Sequence, residues 1–188
     1  MIILLGLPKS GTTSFQELFS NNGYKSVHWK INNDKAVGTI IKQNKMNNRP
    51  LLYGLTNFDC ITQMDICTSI HDCYWSQIID YQQIYQENKN AIFILNKRDP
   101  HKILRSFKNW HNLYDRIHKY NPEIFGYMKD DQKFLNFINN HYINVEEFFG
   151  NIPDAKFISY DIEADNIDKL NQYISINTNK FPNANKNY

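Results

Sequence analysis

Lys9 draws attention first, because of what surrounds it. It lies in the stretch LGLPKSGTT, between Gly6 and Gly11, flanked by Pro8 and Ser10 and followed by the hydroxyls of Thr12 and Thr13. A loop that joins a buried strand to a helix N-terminus gathers unpaired backbone N–H groups. The helix dipole adds positive potential at the same place, so such a loop suits a phosphate or a sulfate. Lys9 contributes a mobile cation. The nucleoside-triphosphate loop G-x-x-x-x-G-K-[ST] has the same glycine spacing but puts its lysine directly after the second glycine, where this chain has Thr12. A glycine pair alone reads equally well as a plain strand-to-helix turn. Pro8, Lys9, Ser10, Thr12 and Thr13 together favour the anion loop.

A second constellation lies downstream. The apolar run at residues 91–95 ends in Asn96-Lys97-Arg98-Asp99-Pro100, with Ser106 and Trp110 beyond it. An arginine at the carboxyl end of a buried strand emerges at the edge where open parallel sheets bind ligands, and its planar fork suits a phosphate dianion. Asp99-Pro100 caps and starts a helix on which Ile103, Leu104 and Phe107 share a face. For an isolated Arg-Asp-Pro, pairing of Arg98 with Asp99 or with a neighbouring helix end is the competing reading.

At these residues the chain resembles the P-loop sulfotransferases, whose 5′-phosphosulfate loop reads P-[KR]-[SG]-G-T-[TS] and whose 3′-phosphate element is a strand running into R-D-P and a serine-bearing helix. The resemblance implies a donor, 3′-phosphoadenosine 5′-phosphosulfate (PAPS), and a product, 3′-phosphoadenosine 5′-phosphate (PAP). It implies that Pro8, Lys9, Ser10, Gly11, Thr12 and Thr13 hold the 5′-phosphosulfate, that Arg98 and Ser106 hold the 3′-phosphate, and that Lys9 is catalytic without a metal ion. His28, at the end of the strand-like KSVHW, matches a histidine in a similar subset of the family, and Asp65 fits an acidic position of that subset. The expected order for the general base is Asp65, then His28, then Asp59. Ordering of a strand end by His28 and helix capping by Asp65 are the structural alternatives.

Two departures from the family pattern concern the adenosine end. The tryptophan that commonly follows the first loop is replaced by Ser14, and the R-K-G motif is missing. At the other terminus Phe181, Pro182 and Asn185 match an F-P-x-x-N tail, against the plainer reading of an asparagine-rich end.

These residues need elements to position them. Periodicity predicts strands at residues 2–5, 25–29, 51–55, 91–95 and 156–160. It predicts helices at 12–22, from 32–34 onward with Ala36, Val37, Ile40 and Ile41 on one side, at 75–87 with Ile78, Ile79 and Ile84 inward, and at 167–174. Residues 57–72 read as an acidic, weakly ordered segment. Residues 110–149 read as helices whose aromatic side chains mostly pack. The alternation predicts an α/β three-layer P-loop-type fold, with a central parallel β-sheet flanked by helices and right-handed crossovers. A single domain over 1–188 is expected, with a helical aromatic-rich insertion at about 110–150.

The 188 residues suffice for one sizeable core, and a net charge of +2 argues against a nucleic-acid-coating protein. Cys60, Cys67 and Cys73 have no metal-ligand spacing and an odd count, so three reduced thiols and a cytoplasmic protein are expected, without a membrane span or anchor. The acceptor, whether small molecule, carbohydrate or peptide, and the oligomeric state are not encoded in these motifs. Two other functions fit the same loop. One is a P-loop kinase, which would need a strand-end aspartate for magnesium, with Asp161 as its candidate. The other is a catalytically silent anion-binding module.

Overall fold

A computed structural model describes residues 1–32, 35–126, 129–178 and 180–184. Its elements run β1 (Ile2–Leu4), α1 (Thr12–Asn21), β2 (Ser26–Val27), β3 (Lys30–Ile31), β4 (Lys35–Ala36), α2 (Val37–Met46), β5 (Cys60–Ile61), β6 (Asp65–Ser69) and β7 (Asp72–Trp75). They continue with α3 (Ser76–Ile79), α4 (Tyr81–Glu87), β8 (Ile92–Lys97), α5 (Pro100–Lys108), α6 (Leu113–Tyr120), α7 (Pro122–Phe125), α8 (Asp131–Gly150), β9 (Lys156–Asp161) and a 3-10 helix at Ile167–Gln172.

Five strands pair in parallel in the order β2-β5-β1-β8-β9. Successive residues of a strand point to opposite faces, and helices cover both, so β1 reads as an unbroken apolar run. Ile2 and Leu4 pack with Phe15, Phe19, Ile94 and Tyr160 on one face. Ile3 and Leu5 pack on the other with Phe93, Phe107, Phe134 and Phe149, which ties α5 and α8 to the sheet. After β1 the chain moves to one side, through β2 and β5, and later crosses to the other, through β8 and β9. The carboxyl ends of β1 and β8 are therefore a topological switch point, the place where such sheets leave a crevice for ligands.

Several expectations change. Residues 51–55 form turns instead of a strand. Leu51, Leu52 and Leu55 are buried, and Asn44 Nδ2 donates to the carbonyls of Leu51 and Tyr53. The strand between β2 and β1 is instead the two-residue β5. The second helix begins at Val37, because Lys30–Ile31 pairs antiparallel with Lys35–Ala36 ahead of it; Asn33 and Asp34 lie outside the described residues. The helix expected at 75–87 is broken. Trp75 belongs to β7, Asp80 separates α3 from α4 and bonds Lys45 and Tyr74, and Ile79 is 45 % exposed. The final helix is 3-10 and ends at Gln172.

The segment expected to be weakly ordered is a hairpin. Strands β6 and β7 place Cys67 opposite Cys73, and the two are joined in a disulfide with Cα atoms 3.8 Å apart. The expectation of three reduced thiols is thereby corrected: antiparallel register brings together two cysteines that a linear count leaves unpaired. Cys60 alone is free, buried in the sheet, where burial pushes its thiol up to about 12. No helix among the described residues is long and apolar enough to cross a membrane.

Candidate functional site

The loop after β1 is built around close approach and two left-handed residues. A Cβ on Gly6 would lie 2.3 Å from the Asn96 carbonyl oxygen, so only glycine lets β1 and β8 close at this point. Gly11 has φ 87°, and a Cβ there would meet Ile162 at 2.9 Å. Lys9 itself has φ 71°, a left-handed conformation that costs a residue with a side chain. Asn96, fully buried, holds the loop in place. It accepts from the Gly6 N–H at 2.9 Å, and its Nδ2 donates to the Ser10 carbonyl at 3.0 Å and to Ser10 Oγ at 2.6 Å. Replacing Asn96 with alanine leaves buried partners unsatisfied. The expected result is a loss of about 3 kcal/mol in urea unfolding, together with weaker anion binding by the loosened loop.

One cavity of about 950 Å³ opens over this loop, at the top of the range usual for small-molecule sites. Pro8, Lys9, Gly11, Thr12 and Thr13 line it, and so do Arg98, Ser106, His28 and Asp65. Ser10 is the exception among the expected residues. Its hydroxyl is buried, donates to the Leu7 carbonyl and accepts from Asn96, so it shapes the loop and does not face the cavity. Asp59 is also excluded. It precedes β5, at the opposite edge of the sheet, where Oδ2 accepts from the Lys25 N–H at 2.8 Å.

The two anion elements are physically joined. Arg98 Nη1 donates to the Lys9 carbonyl at 3.0 Å. Its Nε is buried and has no hydrogen-bond partner among the described residues, although Glu163 Oε1 lies 3.5 Å away. Asp99 does not pair with Arg98 but caps α5 by accepting from the Lys102 N–H. Lys9 has no carboxylate partner among the described residues. Its Nζ sits 3.7 Å over the Trp110 ring, a cation–π contact that holds the ammonium without neutralising it. Burial, with Arg98 adding repulsion, lowers its pKa.

The carboxyl end of β5 brings the candidate bases to the same edge. Thr12 Oγ1 donates to Gln63 Oε1 at 3.3 Å, and Gln63 Nε2 donates to Asp65 Oδ2 at 3.2 Å. Gln77 Nε2 donates to Asp65 Oδ1 at 3.0 Å. Asp65 is thus linked to the anion loop by a single glutamine and does not cap a helix. Burial pushes its carboxyl up to about 6, against the opposing pull of the two amides. His28 Nδ1 lies 3.0 Å from Thr62 Oγ1, whose single proton goes to Gln16 Oε1 at 3.1 Å or to the Val27 carbonyl at 3.2 Å. With the threonine proton used there, Nδ1 is the donor and Nε2 the acceptor. Burial lowers the His28 pKa to about 4, so the ring is neutral at pH 7.

The carboxyl-terminal tail docks beside the loop. Phe181 packs its ring at 4.9 Å against Phe15 and stacks on Tyr160, and the Ala184 N–H donates to Ser14 Oγ at 3.1 Å. Ser14 therefore anchors the tail, and Asn183 and Ala184 line the cavity. Asn185 of the tail motif lies outside the described residues, as does Tyr127 of the aromatic stretch. Residues missed in the sequence are Asn96, Gln63 and Gln77. The one signal available was a polar residue, Asn96, ending an otherwise apolar strand.

A cavity at the switch point of a parallel sheet, with a glycine loop on one strand and an arginine on the next, marks an α/β domain of the P-loop type. Comparison with known families carries this further. A family model described as a sulfotransferase domain matches residues 1–115, more than half of the chain, and the protein belongs to that sulfotransferase-domain family. No curated protein matches the chain. The matched stretch holds both anion elements and both candidate bases. Beyond it, β9 pairs along its whole length with β8, and the His141 ring of α8 bonds the Leu5 carbonyl at 2.8 Å.

Proposed function

We propose that the cavity binds PAPS and that the protein transfers the sulfuryl group to a hydroxyl or amine of a small-molecule, carbohydrate or peptide acceptor, acting as one domain over residues 1–188. The observation that carries this reading is the convergence of Lys9 and Arg98. Two cations from separate strand ends, Lys9 without a carboxylate partner among the described residues and Arg98 with Glu163 3.5 Å from its Nε, are tied by a hydrogen bond at the switch point. PAPS supplies, when bound, a sulfur electrophile attached to a phosphate leaving group.

Lys9, the first-turn N–H groups of α1 and the hydroxyls of Thr12 and Thr13 hold the 5′ end and offset the charge that grows on the phosphate oxygen as its bond to sulfur breaks. Arg98 and Ser106 hold the 3′-phosphate. Asp65 takes the acceptor proton as the new oxygen–sulfur bond forms, and His28 Nε2 orients the same hydroxyl. A carboxyl with a pKa of about 6 serves a base near neutral pH better than an imidazole with a pKa of about 4. The expected cytoplasmic location loses the support of reduced thiols, since disulfides such as Cys67–Cys73 persist chiefly in oxidising compartments.

A kinase would need a magnesium aspartate. Asp161, its candidate, ends the edge strand β9, and its Oδ1 accepts from the Glu163 N–H. Calorimetric titration with PAP, and in parallel with ATP and magnesium, tests the choice. Magnesium-independent binding of PAP is expected; preference for magnesium-ATP would sink the PAPS reading.

A further inference from the structure

We infer that the acceptor is itself an anion, a ring compound carrying a carboxylate as well as the hydroxyl that is sulfated, and that Arg116 reads that carboxylate. The inference rests on the sulfotransferase reading of the same cavity and adds the substrate class. Among the described residues the cavity is lined by five permanent cations, Lys9, Arg98, Lys102, Arg105 and Arg116, and by one carboxylate, Asp65. The proposed function assigns Lys9 and Arg98 to the donor, and Lys102 and Arg105 line the cavity from α5 together with Ser106, Lys102 being paired with Glu163. Arg116 does not belong to that group.

Arg116 stands on α6, which packs against β6, the strand that begins with Asp65. It therefore lines the cavity beside the strand on which the candidate base stands. Among the described residues its buried Nε has no hydrogen-bond partner and no carboxylate pairs with its guanidinium. The adjacent Asp115 pairs with Lys129, and the Asp65 oxygens are taken by Gln63 and Gln77. A half-buried guanidinium without a counter-charge is costly to the empty site, and a ligand carboxylate matched to its fork relieves that cost. Trp110 and Trp29, each partly exposed on the same cavity, offer flat faces for the ring that carries both groups.

The test uses PAP-saturated protein, its tryptophan fluorescence, and two pairs that each set a carboxylate against a neutral compound of similar shape: 4-hydroxyphenylacetate with 4-methylphenol, and methyl β-glucuronide with methyl β-glucoside. In at least one pair the carboxylate member should bind about tenfold tighter, the difference a charge-assisted hydrogen bond makes. Which pair shows it distinguishes a phenolic ring from a sugar. Arg116→Gln should abolish the preference and leave PAP affinity unchanged, while Arg116→Lys should keep part of it. Equal binding within both pairs, no binding by any probe, or a preference that survives in Arg116→Gln overturns the inference. Absence of PAP binding in the same samples overturns the donor reading beneath it.

Discussion

Lys9→Met loses sulfuryl transfer by about a hundred- to a thousandfold, the scale on which removal of one preorganised charge-stabilising donor acts. Methionine keeps the length and the contact with Trp110 but removes the charge. The loss should fall mainly on the single-turnover conversion of PAPS to PAP with an acceptor present, and much less on PAP affinity, because leaving-group charge peaks in the transition state. Folding stability should not fall. The lysine is half-buried and lies near Arg98, and both effects already disfavour its charge. Lys102→Met is the contrast. Lys102 Nζ is paired with Glu163 at 2.7 Å, so its loss should cost donor affinity and little of the chemical step. Full activity in folded Lys9→Met would remove the lysine from the mechanism.

The second large effect belongs to Asp65. On the proposed mechanism the wild-type rate rises with pH through about 6 and levels off above it, as the carboxylate forms. Asp65→Asn lowers the plateau by about a hundredfold or more and abolishes that limb. A limb near 4 that disappears in His28→Gln would transfer the role to His28. The same burial fixes the sign of a stability effect. The folded state holds the Asp65 proton more tightly than the unfolded chain does, so this group's contribution falls as pH rises from 3.8 to about 6 and is constant above. That interval amounts to about 3 kcal/mol of destabilisation at neutral pH. Asp65→Asn should therefore unfold at an equal or higher temperature at pH 7 while losing activity, a combination that a purely structural aspartate does not give.

The parts of the site that could be read from the sequence were those whose meaning is local. The glycine loop with Lys9, and Arg98 at the end of an apolar run followed by a proline-started helix, are carried by adjacent residues and fall where the alternation of elements puts a switch point. What joins them is not local. Asn96 spans the interval from β8 back to Gly6 and Ser10, and Gln63 bridges Thr12 to Asp65; an asparagine or glutamine in a list of residues carries no mark of either contact. Ser10 matches the motif by type, yet Asn96 and the Leu7 carbonyl turn its hydroxyl inward.

The hairpin was hidden for a different reason. Its turn at Ile70-His71 has no glycine or asparagine to announce it, and the acidic residues around it suggested solvent exposure. With the hairpin unseen, the Cys67–Cys73 pairing was unseen too. The apolar residues 51–55 drew the third strand away from Cys60–Ile61, whose two residues are too few for a periodicity signal. Most of the aromatic residues in the helices after residue 110 pack as expected. Trp110, which lies under the Lys9 ammonium and is 39 % exposed, does not.

The claim most central to this account is that Arg98 reads a 3′-phosphate, and it is tested by measuring the affinities of PAP and of AMP, which differ only in that phosphate, for the wild-type protein and for Arg98→Ala. PAP should bind wild type at least about tenfold tighter than AMP, and the two ligands should bind Arg98→Ala nearly alike, since a charge-assisted contact of this kind contributes about 1.5–3 kcal/mol. Equal binding of PAP and AMP by the wild-type protein, or a preference unchanged by the substitution, would contradict the assignment of this cavity to PAPS.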